Sequence, residues 1–217
     1  MRKWTMPVAV LVVGVFVTAA AGGPAPKPPK SKQGACLGLA ATIVGTQGAD
    51  VINGTAGNDV IDARGGNDEV WGHGGDDVIC GGPGNDTLQG GDGNDELAGQ
   101  QGRDLMDGGV LGCCGPGNSG NDELWGGQGD DILHASDFGN GTLHGQGGAD
   151  ELHGWNGNDT LDGGNGRDDL EGFTGNDRLS GGNGNDELDG GAGTDSLDGG
   201  RGRDACAAGE TTTRCET

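Results

Sequence analysis

The nonapeptide GGNGNDELD, residues 181–189, decides how this chain is read. It is one block of a series, and GGDGNDELA from Gly90 and GGAGTDSLD from Gly190 repeat its logic. Counted from Gly45, blocks of nine run without a gap to His134; after one extra residue, Ala135, they resume at Ser136 and run to Ala207. That makes ten blocks followed by eight. Position 4 is glycine in seventeen of the eighteen, position 6 is aspartate in sixteen, and position 8 is Ile, Val, Leu or Met in sixteen. A fixed period of this kind governs the fold of the whole segment.

Each position has a physical reason. Glycine at positions 1, 2 and 4 permits positive φ and close backbone approach, so that several carbonyls aim at one point. A carboxylate at position 6 adds a hard oxygen, the donor type that Ca2+ gathers at flexible geometry. Alternation over positions 7 to 9 sends position 8 inward and its neighbours outward, and the outward residues are often acidic, as at Glu96, Glu187 and Asp189. The candidate metal ligands are therefore Asp50, Asp59, Asp68, Asp77, Asp86, Asp95, Asp104, Asp122, Asp131, Asp150, Asp159, Asp168, Asp177, Asp186, Asp195 and Asp204.

These blocks resemble the nonapeptide GGxGxDxUx of the repeats-in-toxin (RTX, hemolysin-type) calcium-binding family. The resemblance implies an all-β fold, a right-handed parallel β-roll (a β-solenoid) of about nine two-block turns. It further implies that each Ca2+ lies between block n and block n+2. Block eight, GGVLGCCGP from Gly108, lacks the position 4 glycine and the aspartate, and block eleven, from Ser136, has Gly141 where the carboxylate belongs. Both half-sites are expected to be deficient. Sixteen n, n+2 pairs less the four that touch these blocks leave up to about twelve calcium ions.

Composition agrees with an ion-dependent fold. Of 217 residues 31% are hydrophobic and 3% aromatic, while glycine supplies 53, too little apolar material for an ordinary core. One buried side chain per nine residues falls short of the ordering entropy, and stacked carboxylates repel until a cation sits between them. A disordered metal-free state and a folded calcium state are expected. The formal charge of -22 argues against nucleic acid or an anionic membrane as partner.

Four segments follow. Residues 1–21 read as a secretory signal peptide, with Arg2 and Lys3 before an apolar run that ends in small residues. Residues 22–44 are a Pro/Lys linker and N-terminal cap, 45–207 the calcium-binding roll, and 208–217 a C-terminal cap. The chain is thus expected to be secreted from a bacterial cell, with no membrane span after cleavage. Six cysteines in an exported chain favour disulfides. Cys206 with Cys215 would close the far end, and Cys36 with Cys80 would tie the other cap. Cys113 and Cys114 are adjacent, and a vicinal disulfide and an intermolecular pair both remain open.

His134 and His153 both occupy position 9, two blocks apart, either as a transition-metal pair or as solvated histidines. Trp71 and Trp125 also occupy position 9, both in odd-numbered blocks and so on the same side of the roll, as part of a partner face or as scattered surface residues. No HExxH is present, GNSGN at 117–121 falls short of GxSxG, and no EF-hand run occurs. The chain reads as a non-enzyme: an exported calcium-binding roll with a structural or adhesive role, or a calcium-dependent module that presents a recognition face to a cell-wall or cell-surface partner.

Overall fold

In the computed structural model, which describes residues 35–109, 120–208 and 211–215, the repeats coil into a solenoid with two parallel sheets. One sheet has nine strands, from Val51–Asn53 to Ala205–Ala207. The other has ten, from Ile43–Val44 to Thr211–Thr213. Successive blocks alternate between the sheets, so the expected all-β solenoid of about nine turns is what the chain forms. No helix of the described residues is long and apolar enough to cross a membrane.

Strand pairing is in register over most of the length. Leu161 faces Leu179 in one sheet, and Leu170 faces Leu188 in the other. Position 8 therefore builds two columns that meet in the interior, where Ile79, Leu88, Met106, Leu133 and Leu152 are fully buried. These columns supply nearly all of the main core. The remaining interior is polar, because the position 6 aspartates are buried too.

Block eight corrects the expected register. The strand Glu96–Gln101 pairs directly with Glu123–Gln128, and Leu105–Asp107 pairs with Ile132–His134. The stack thus steps from block six to block nine and from block seven to block ten. Block eight contributes no strand among the described residues; its Gly108 keeps the first place of the turn that holds Asp122, donating its N–H to His134 O and accepting that of Gly91. Cys113 and Cys114 lie outside the described residues. One consequence is that Trp71 stands on the nine-stranded sheet and Trp125 on the ten-stranded one. They do not share a face.

Block eleven also differs from expectation. Ala135 donates its N–H to His153 O at 2.9 Å, the bond that Gly154 makes to Glu171 one rung on. Ala135 is therefore the first residue of the turn, and the extra residue falls within Ser136–Phe138. Phe138 is pushed out, 57% exposed.

Both ends carry disulfides. Cys206–Cys215 ties the last strand of the nine-stranded sheet to the residues that follow the last strand of the ten-stranded one, and Arg214 forms an ion pair with Asp198 there. Cys36–Cys80 is formed as well, but its short hairpin, Ala35–Cys36 with Leu39–Ala40, packs on the outer side of the ten-stranded sheet against Val60, Val78 and Ala98. It shields a flank rather than the end of the solenoid. Val44 and Val51 stay exposed at that end.

Because the ladder steps over block eight, deleting residues 109–117 should leave the β circular-dichroism signal and the calcium response intact, with stability changed by less than about 1 kcal/mol. A deletion variant that fails to fold would show that block eight belongs to the stack.

Candidate metal centre

The sixteen position 6 aspartates fall on the two edges of the solenoid. Turns leading from the ten-stranded to the nine-stranded sheet carry Asp50, Asp68, Asp86, Asp104, Asp131, Asp150, Asp168, Asp186 and Asp204. Turns leading back carry Asp59, Asp77, Asp95, Asp122, Asp159, Asp177 and Asp195. From Asp59 onward all are buried.

The two oxygens of each carboxylate have separate environments. Oδ1 accepts the backbone N–H of the aspartate one rung earlier: Asp77 accepts from Asp59, Asp95 from Asp77, Asp104 from Asp86, each at 2.8 Å. The chain of bonds continues across block eight, where Asp122 accepts from Asp95 and Asp131 from Asp104. On the first edge it runs unbroken from Asp50 to Asp204. On the second edge it is interrupted at Gly141, which has no carboxylate to offer Asp122.

Oδ2 has no such partner. From Asp68 to Asp204 every position 6 aspartate buries this oxygen without a hydrogen bond. Its surroundings are oxygen-rich. A Cβ placed on Gly72 would touch both Asp77 Oδ2 and the carbonyl of Gly90, one rung on. The same carboxylate and carbonyl converge beside Gly126, Gly145 and Gly181. Position 1 is glycine here because a side chain would fill this cradle. Buried acceptors facing one another without a donor are costly, and a hard cation is the group that suits them. Among the described residues no three His, Cys, Asp or Glu side chains converge on one point, so such a cation must take much of its shell from the backbone.

Proton affinity reflects the same strain. Burial pushes Asp104 up to about 8, with the Asp131 and Asp86 carboxylates adding to it. Burial likewise lifts Asp95, Asp150 and Asp159 to about 7, each helped by neighbouring carboxylates. Toward the C-terminal end Asp177 and Asp186 are raised for the same reasons, without a comparable excursion.

Where block eleven lacks its carboxylate, the space is filled differently. A Cβ on Gly141 would come within 2.5 Å of the Ala135 methyl, so an apolar group stands where other turns hold Oδ2. Ser136 donates its hydroxyl to Gly120 O at 3.0 Å. This rung has no orphaned carboxylate oxygen to offer a cation. Beside it His134 and His153 stack with ring centroids 4.9 Å apart and planes 4° from parallel. Trp155 and Phe173 form a second stack at 4.5 Å, set edge-on to His153. Parallel imidazoles direct their ring-nitrogen lone pairs along parallel lines rather than toward a shared point, so the pair is an aromatic stack, extended by Trp155 and Phe173.

Two features escaped the sequence reading. Asparagine at position 5 forms its own ladder, in which Asn158 donates its N–H to Asn140 Oδ1 and Asn176 to Asn158 Oδ1; the frequent Asn before the aspartate was the signal. Position 2 takes positive φ in most turns, and Trp155 and Phe173, like Arg64, His73, Gln100 and Gln146, take it without glycine, at 65° and 66°. Non-glycine residues there are strained, and Trp155 and Phe173 lie in the aromatic stack.

The carboxylates favour protons in the folded state, since their values of about 6 to 8 exceed the unfolded value near 3.9. Folding of the metal-free chain then takes up protons, and its stability falls as pH rises from about 4 to about 8. In chelator, lowering the pH from 8 to 5 should increase β signal and melting temperature. A metal-free chain that loses structure over that interval would contradict the buried-carboxylate account.

The model for the RTX calcium-binding nonapeptide repeat matches residues 44–79, 81–110, 117–138, 137–170 and 171–205. The break between 110 and 117 falls within block eight. No curated protein matches the chain. With the repeat matched over more than half of its length, and with the parallel two-sheet solenoid on which stacked aspartates line both edges, the chain belongs to the RTX calcium-binding nonapeptide repeat family.

Proposed function

We propose that the protein is exported, with residues 1–21 as its signal, and that it works outside the cell as a structural or adhesive element whose roll is assembled by Ca2+. The observation that carries this reading is the repeated cradle of buried Oδ2 and backbone carbonyl on both edges. The position 6 aspartates with an orphaned Oδ2, from Asp68 to Asp204, are its ligands in this proposal. Eleven pairs of such aspartates stack directly among the described residues. The expected figure of about twelve ions is close to that count. Each cation removes the repulsion between successive rungs and completes the acceptors that folding buries, so binding free energy becomes folding free energy. No catalytic role is assigned.

A second reading, a calcium-dependent recognition module, is favoured by one local feature. His134, His153, Trp155 and Phe173 gather beside the Gly141 rung of the interrupted edge. Calcium-dependent pull-down with W155G and F173G variants, whose glycines relieve the positive φ, would separate the readings. Loss of a partner with the β fold retained supports recognition, whereas unchanged capture leaves the structural role.

Titration of the metal-free protein with Ca2+ at fixed ionic strength should give a cooperative gain of β signal that Mg2+ does not reproduce. The midpoint is expected at about 10⁻⁴ to 10⁻³ M, the usual range of extracellular calcium modules. The paired substitution Asp104→Asn with Asp150→Asn should raise that midpoint several-fold. A chain fully folded in chelator at pH 7.5, or one unaffected by 10 mM Ca2+ (about tenfold above that range), would exclude calcium-driven folding.

A further inference from the structure

The first turn on each edge shares the cradle of the later ones, at Gly45 and Gly54, but differs in what its carboxylate meets. In the turn that holds Asp50, the N–H of Thr46 donates to Asp50 Oδ2 at 2.5 Å and its hydroxyl donates to the same oxygen at 2.9 Å. In the turn that holds Asp59, Thr55 does the same at 2.7 and 2.9 Å. Asp50 and Asp59 are the two position 6 aspartates missing from the set with an orphaned Oδ2. The backbone differs too. Arg64, His73, Gly82 and Gly91 take position 2 of the next turns at positive φ, as Gly66 and Gly75 take position 4. Thr46, Thr55, Gly48 and Gly57 do not.

We propose that Thr46 and Thr55 terminate the two metal arrays, their N–H and hydroxyl groups standing in for the cation, so that the first two turns form a metal-independent end of the roll and the arrays begin at Asp68 and Asp77. This rests on the calcium reading above. The reason lies in the geometry of an end. The first cradles have their carbonyl as the later ones do, Ala63 O beside Asp50 Oδ2 and Gly72 O beside Asp59 Oδ2, but with no described turn before them to add oxygens a cation would have to displace both threonine donors. Among the described residues the Cys36–Cys80 hairpin shields a flank and leaves this end open. A carboxylate there would be left without a counterion. Threonine at position 2 supplies two donors from within the same turn, which the glycine common at that position cannot do.

The test is calcium stoichiometry of the full chain by equilibrium dialysis and titration calorimetry. The double variant Asp50→Asn with Asp59→Asn should bind as many ions as the wild type with a midpoint changed less than twofold, whereas Asp104→Asn with Asp150→Asn should lose ions. Replacing Thr46 and Thr55 by glycine recreates the standard turn sequence and should add up to two ions. Loss of one or more ions in the Asp50/Asp59 variant overturns the terminator role and leaves the calcium reading standing. A wild-type chain that takes up no calcium overturns both.

Discussion

Everything in this solenoid depends on a carboxylate whose two oxygens face different problems. Oδ1 of each position 6 aspartate holds the preceding rung by its backbone N–H, which fixes the spacing of the turns. That bond forces the side chain into the interior and leaves Oδ2 beside a carbonyl with no donor. The fold therefore manufactures its own need for a cation. Had Oδ2 been paired within the chain throughout, as at Asp50 and Asp59, the roll would be an ordinary hydrogen-bonded solenoid.

Leucine columns and polar edges divide the labour. The interior position 8 residues set which way each strand faces and exclude water from the middle. They are too few to hold the turns closed, and the turns contain most of the chain. Asparagine ladders at position 5 help on the outside, since each amide oxygen takes the N–H one rung on. The two edges nevertheless differ. One is continuous from Asp50 to Asp204, while the other is divided at Gly141, and the aromatic stacks lie next to that division.

Much of this was legible in the sequence because the period reports both the strand and the turn. Position 8 and position 6 could be assigned residue by residue, and the pairs Cys36–Cys80 and Cys206–Cys215 form as expected. What sequence could not give was the response to an irregular block. Counting by nines keeps block eight in phase, since its length is right, but only its first glycine enters the ladder among the described residues, and the fourth glycine and carboxylate of that turn are Gly120 and Asp122. The same limit misplaced Ala135, because glycine and alanine both suit the first position once Gly141 removes the carboxylate from beneath it. Threonine at position 2 looked like tolerated variation for a similar reason: its effect lies in a hydrogen bond, not in the period.

The ladder's indifference to block eight has a consequence for how such a chain can change. Register is kept by rungs, not by distance along the polypeptide, so residues that add no strand are silent for everything that follows them. Removing a block that does occupy a rung is different. It acts like a frameshift written on the surface: every later block passes to the opposite sheet, and the two outer faces exchange their residues downstream while the interior column of leucines is left unaltered.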